Sequence, residues 1–252
     1  MLKYFGIKFE FDRKIFNEIV KSHIENKQPG YICVVDGNNF SAAQKDPKHM
    51  NVLNNAITND CDSTWLAKIT NLIHGTNFKH MNGPDLFLEY IKKSEFRHLF
   101  LGASKNVLYG LKDQIVTYNP AISNMLFIEL PFRKVEEFDY KGIAEIINKD
   151  SSDIIWVSLG APKQEQFMYN LKPYLKQGVM IGVGAAFNFY SGLDDAPKRA
   201  PKWIRRCGME WVYRIFSEPQ KQIKRNYNFL CSLPSAIRQE IKEKKRQEKQ
   251  NY

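Results

Sequence analysis

Five short runs of β-prone, mostly apolar residues recur along the chain. They lie at Tyr31–Val35, His98–Leu101, Met125–Leu130, Ile154–Leu159 and Val179–Val183. Around and between them the apolar period changes. Phe16, Ile19, Val20 and Ile24 repeat at helical spacing, as do Val107, Leu108, Leu111 and Ile115, and then Ile143, Ile146 and Ile147. Strands that alternate with helices predict βαβ units and a parallel sheet, an α/β fold. The run Ile154–Leu159 is uncharged and nearly all apolar, as expected for a central strand covered on both faces. A further short strand is expected at Ala56–Asn59.

The chain has 252 residues, enough for one large α/β domain or one domain with an appendage. No run reaches the roughly 18 apolar residues that span a bilayer. The longest candidate, Val179–Phe187, reads as a buried strand and turn. The N-terminal stretch alternates and carries charge, unlike a secretory signal. Cys33, Cys61, Cys207 and Cys231 are scattered with no CxxC pair, so zinc and thioredoxin-like readings fail. Free thiols point to the cytoplasm. The histidines do not cluster, and no histidine metal site is expected.

Charge divides the chain in two. From Lys198 onward there are 15 Lys and Arg against 5 Asp and Glu, whereas the preceding residues hold 22 of each sign. A neutral body with a cationic tail implies that the tail meets something anionic. Trp203, Trp211, Tyr213, Phe216, Tyr227 and Phe229 stand among those charges, a mixture that suits a membrane interface. The Pro-, Gly- and charge-rich segment Ser191–Pro201 reads as a loop. We therefore expect an α/β domain over residues 1–195 and a basic helical appendage over 196–252. The appendage reads as three helices: Trp203–Phe216, one from Pro219 to about Ser232, and one from Pro234. The last stretch, EIKEKKRQEKQ, reads as a solvated helix too polar to pack.

Four turns could carry chemistry. In DIIWVSLGAPKQE (Asp153–Glu165) a buried strand ends at Gly160 and a helix starts after Pro162. Ligands in parallel sheets bind at such carboxyl ends, and a helix N-terminus offers free N–H groups to phosphate. Gly160, Lys163 and Gln164 are the candidates; a tight turn with no ligand is the plainer reading. GVGAAFN (Gly182–Asn188), with Gly184, lacks the third glycine of a dinucleotide fingerprint. YICVVDGNN offers Asp36 and Asn38 at a strand end, or simply an N-cap. NDCDST contains Asp60 and Asp62 at the D-x-D spacing by which two carboxylates can hold a divalent metal. Asp62 alone could be a general base or an N-cap.

In order, these blocks resemble the WecG/TagA/CpsF glycosyltransferase family. The resemblance is densest over Asp153–Tyr227, in DIIWVSLGAPKQE, GVGAAFNFYSG, KRAPKW and GMEWVYRIFSEPQKQIKRNY. Weaker agreement runs through AQKD (Ala43–Asp46), GPDLF (Gly83–Phe87) and FLGAS (Phe100–Ser104). The resemblance implies a Rossmann-like α/β domain with a C-terminal appendage, and transfer from a UDP-sugar to a lipid-diphosphate-linked saccharide, with inversion and without metal or cofactor. It implies a role in cell-surface polysaccharides such as teichoic acid, capsule or exopolysaccharide.

Carried over by position, GAPKQE resembles the family's diphosphate turn. Asp62, here in Cys61-Asp62-Ser63 rather than P-D-G, matches the catalytic aspartate. Val35-Asp36-Gly37-Asn38 stands at the family's threonine-asparagine turn. His80 stands where an arginine is usual, and Arg214, Lys221 and Lys224 match the cations of the appendage. The expected partners are a UDP-sugar, a polyprenyl-diphosphate acceptor and an anionic membrane surface at the inner face of the plasma membrane. No nucleic acid is expected, and the sequence leaves a homo-oligomer open. Two rivals remain at this stage: a non-catalytic protein that grips anionic lipid or nucleic acid through its tail, and a metal-dependent transferase using Asp60 and Asp62.

Overall fold

The computed structural model describes residues 3–250, apart from the Arg206 side chain. An antiparallel hairpin, β1 (Lys3–Tyr4) with β2 (Ile7–Lys8), comes first. Six further strands follow: β3 (Gly30–Val35), β4 (Thr58–Cys61), β5 (His98–Gly102), β6 (Leu126–Ile128), β7 (Ile154–Ser158) and β8 (Val179–Gly182). They form one sheet in the order β4-β3-β8-β7-β5-β6, and every neighbouring pair is parallel. Helices α1 (Arg13–Glu25), α2 (Gly37–Lys45), α3 (Pro47–Asn54), α4 (Thr64–His74), α5 (Gly83–Ile91), α6 (Lys105–Ile115), α7 (Tyr140–Asp150), α8 (Lys163–Leu171) and α9 (Ala186–Tyr190) flank it. The C-terminal region is helical: α10 (Lys202–Arg206), α11 (Glu210–Ser217) and α12 (Pro219–Gln250). The expected α/β class with a helical C-terminal region is what the chain forms.

Strand alternation divides the core. On β3, Tyr31, Cys33 and Val35 face one apolar cluster while Ile32 and Val34 face the other. On β7, Ile155 and Val157 oppose Ile154 and Trp156 in the same way. Both faces are buried because helices cover both, which is why these strands lack a polar face.

Two expectations need correcting. The strand expected at Ala56–Asn59 lies two residues later, at β4. Its sequence is Thr-Asn-Asp-Cys, all buried, with no apolar run to betray it. What holds it is polar: the buried Asn59 Nδ2 donates to the carbonyls of Lys8 at 2.7 Å and Leu53 at 2.9 Å.

The second correction concerns the tail. The helix expected over Trp203–Phe216 is broken at Gly208, φ +69°, into α10 and α11, and the helix that Pro219 begins passes through Pro234 to Gln250. An internal proline removes one i→i−4 hydrogen bond and crowds the carbonyl four residues back. Here that residue is Leu230, which is exposed, so water can replace the lost donor. Phe229, expected among membrane-facing aromatics, is buried and meets the Phe40 ring at 5.7 Å. The polar last stretch is not simply solvated. Buried Glu240 accepts from Phe5 N at 2.5 Å and contacts His74 Nε2 at 2.8 Å, and Lys244 donates to Ile73 O at 2.8 Å. Phe229→Ala should lower stability by about 3 kcal/mol, as for other buried aromatics. A denaturant midpoint unchanged from wild type would show that α12 does not depend on this contact.

Candidate active site

Parallel strands deliver their following loops to one edge of the sheet. There the loops enclose a cleft of about 720 Å³. Asp36 and Asn38 enter it from the end of β3, Asp62 from β4, Gly160 and Lys163 from beyond β7, and Gly184 from β8. Arg205, Glu210, Trp211, Arg214, Lys221 and Arg225 close it from the C-terminal helices.

Asp62 follows the last residue of β4. Its backbone N–H is held by Val35 O at 3.0 Å, and its carboxylate receives the Gly83 N–H. It is not an N-cap, since Ser63 caps α4. Burial pushes its carboxyl well above the usual range, and the nearby Asp36 and Glu210 push the same way, while Arg214 opposes them. Asp60 behaves differently. It is fully buried and does not line the cleft, so the two carboxylates of the D-x-D do not open onto it together. Burial raises the Asp60 carboxyl as well.

The glycine turn after β7 is open. Gly160 has φ +76°, and a Cβ there would meet nothing within 4 Å. Its neighbours bind the loops together. Gln164 is buried; its Oε1 accepts from Gly184 N at 3.1 Å and its Nε2 donates to Glu165 at 2.8 Å. Ser158 Oγ donates to Gly184 O at 2.7 Å, and Asn38 Nδ2 to Ala161 O at 3.1 Å. Asp36 does cap α2, accepting from Asn39 N at 2.8 Å, yet it also faces the cleft. Lys163 lies over the Phe132 and Phe138 rings at 5.0 and 5.2 Å.

The cations come mostly from the tail. Arg214 Nη2 pairs with Glu218 at 3.3 Å and stacks over Phe189 at 5.6 Å. Lys221 pairs with the same glutamate at 3.1 Å. Lys224 is exposed and outside the cleft, whereas Arg225 lines it. His80 lines the cleft with Nε2 3.4 Å from Thr64 Oγ1, and burial lowers its pKa. It is therefore uncharged near neutral pH, unlike an arginine.

The model for the Glycosyl transferase WecG/TagA/CpsF family matches residues 3–250. The chain belongs to the WecG/TagA/CpsF family. Among curated relatives, an N-acetylglucosaminyldiphosphoundecaprenol N-acetyl-beta-D-mannosaminyltransferase of Bacillus subtilis (strain 168) is 27% identical over 89% of this chain and 84% of its own. The enzyme of the same description in Bacillus spizizenii (strain ATCC 23059 / NRRL B-14472 / W23) is 24% identical over 92% and 86%. A glycosyltransferase is the activity that this membership carries.

For this WecG/TagA/CpsF chain the cleft gathers Asp36, Asn38, Asp62, His80, Gly160, Lys163, Gln164, Gly184, Arg214 and Lys221, and leaves Lys224 out. Sequence reasoning missed Glu210 and Arg199. The Arg199 guanidinium pairs with Asp85 at 2.5 Å and Glu210 at 3.4 Å, and donates to Asn82 at 2.9 Å. Both residues sit inside quoted family blocks, but no spacing announces a clasp between segments more than 100 positions apart.

Behind the glycine turn Glu165 is fully buried, accepting from Asn39 at 3.1 Å as well as from Gln164. Burial pushes its carboxyl up to about 7. The folded protein therefore holds a proton that the unfolded chain releases near pH 4.3, so stability should fall as pH rises from about 4.3 to 7. Glu165→Gln keeps an acceptor for both donors and removes the titration. Its stability relative to wild type should improve by about 3 kcal/mol between pH 4 and 8. Urea unfolding at both pH values checks this, and equal slopes in the two proteins would contradict it.

Proposed function

We propose that this glycosyltransferase moves a sugar from a UDP-sugar to a saccharide carried on a polyprenyl diphosphate. On this reading it inverts the anomeric carbon, needs no metal, and serves cell-surface polysaccharide synthesis at the inner face of the plasma membrane. The observation that carries the reading is Asp62: a cleft-facing carboxylate with a raised pKa, in the same cleft as the open Gly160 turn and a set of cations. The curated relatives are named for a lipid-diphosphate acceptor, which supports the same acceptor class here.

In a single in-line displacement, Asp62 takes the proton of the acceptor hydroxyl. That oxygen forms a bond to the anomeric carbon as the bond from that carbon to the diphosphate breaks, and the electron pair leaves on UDP. Arg214, Lys221 and Arg225 are among the cations that line the cleft and can offset the developing charge. The appendage, residues 196–252, also serves as the membrane contact. Trp203, Phe216, Tyr227 and Leu230 are exposed on it beside its Lys and Arg residues, each cation contributing about 1 kcal/mol at an anionic leaflet. No helix among the described residues is long and apolar enough to cross a membrane.

The direct experiment is UDP release from a panel of UDP-sugars with a short-chain lipid-diphosphate acceptor, in excess chelator. Turnover is expected in chelator; loss restored by manganese would return the metal-dependent reading. Asp62→Asn should lower kcat by about 10² to 10⁴, the usual contribution of a general base, with UDP affinity kept. Asp60→Asn should be much milder. Because the base works deprotonated and its pKa is raised, kcat should climb with pH on a limb above the usual carboxylate range. Near-normal kcat in Asp62→Asn, with loss in Asp36→Asn, would move the role to Asp36.

Gly160→Val should abolish UDP binding measured by calorimetry, since the side chain fills open space at a positive φ. Unchanged affinity would put the nucleotide elsewhere.

A further inference from the structure

Two tryptophans stand half-exposed at the mouth of the cleft. Trp65, in the first turn of α4, is 50% exposed, and Trp211, on α11, is 40% exposed. Both line the cleft. Their rings meet edge to face at 6.5 Å and 69°, and Lys68 Nζ covers Trp65 at 5.5 Å. A tryptophan that only packs is normally far more covered than this. Their relative position is fixed from below. Gly208, at φ +69°, brings the turn before α11 so close to Thr64 that a Cβ would lie 3.3 Å from its methyl group.

The direction of the pair from the base decides what it meets. Asp62 directly follows β4, the edge strand, and the Gly160 turn follows β7, three places along the sheet. At about 4.8 Å per strand the two ends lie about 14 Å apart. If the donor diphosphate occupies the Gly160 side, an in-line attack brings the acceptor hydroxyl to Asp62 from the other side. Trp65 is three residues beyond Asp62 in the chain, on the helix that follows β4, hence on that acceptor side.

The surroundings of the pair are mixed. Thr64, His80 and Asn82 bring hydrogen-bonding groups to the same wall. Arg214 is three residues after Trp211 on α11, and Lys221 and Arg225 follow on α12. Apolar ring faces with polar groups beside them suit a pyranose, which has an apolar C–H face and a rim of hydroxyls. An isoprenoid chain would leave the polar groups unmatched.

We infer that Trp65 and Trp211 form the subsite for the sugar ring of the lipid-diphosphate acceptor, and so set acceptor specificity. The inference rests on the glycosyl-transfer reading above. It is tested with Trp65→Ala, Trp211→Ala and the double variant, at saturating UDP-sugar, against a short-chain and a long-chain acceptor. The acceptor KM should rise about tenfold in each single variant, the size of one aromatic contact, and by the same factor with either chain length. UDP affinity by calorimetry should not change, and Trp65→Phe should recover most of the loss.

An unchanged acceptor KM in the double variant overturns the subsite. So does a loss confined to the long-chain acceptor, which would assign the pair to the lipid, or an equal loss of UDP affinity, which would assign it to the donor. Wild-type protein that transfers nothing from any UDP-sugar defeats the underlying reading instead. Active wild type with unaffected variants defeats the subsite alone.

Discussion

Six strands that run the same way must release their chains at the same edge, and in this protein both faces of the sheet are already covered. Loops at the carboxyl ends therefore have one place to meet, and they are bound to one another there. Gly102 makes the closest approach: a Cβ would lie 2.5 Å from Ser158 O, and Ala103 N donates to that same oxygen at 3.1 Å. Gln164 then ties the loop after β7 to the loop after β8, and Asn38 ties the loop after β3 to Ala161. The cleft is a consequence of strand direction, and these polar links give it one shape.

The C-terminal helices are held to that edge by charge as well as by apolar contact. Arg199 lies between Asp85 at the start of α5 and Glu210 at the start of α11, with Tyr190 Oη 3.2 Å from it. Its side chain is only 11% exposed, so removing any one member would leave charge poorly solvated. Farther along, Phe229 and Glu240 anchor α12 at two points on the domain. The tail is cationic in composition, yet some of its acidic residues are what fasten it.

How much of this could be read in the sequence depends on which signals are local. β3, β5, β7 and β8 were legible because both faces are apolar, and α1, α6 and α7 because one stripe is. β4 was displaced by two residues because a strand of Thr, Asn, Asp and Cys has no hydrophobic pattern. Continuation of α12 through Pro234 was not legible, since proline reads as a start; tertiary contacts by Leu233, Ala236 and Ile237 outweigh the missing bond. Gly160 was legible as a turn, whereas the Arg199 clasp and the Trp65–Trp211 pair are not. Each joins residues that only the folded chain brings together.

The electrostatics of the cleft follow from where its charges are encoded. Asp36 and Asp62 belong to the domain; among the described Lys and Arg side chains lining the cleft, Lys163 alone does, and it is engaged by two aromatic rings. The other four, Arg205, Arg214, Lys221 and Arg225, come from the tail, as does Glu210. Glu210 raises the Asp62 carboxyl and Arg214 lowers it. These two stand one turn apart on the same short helix, so the setting of α11 decides the balance between them. A domain without its tail would keep the carboxylates and lose most of the cations. Burial and Asp36 raise the Asp62 carboxyl from within the body of the chain, and docking of the tail adds Glu210 and Arg214, which pull it in opposite directions.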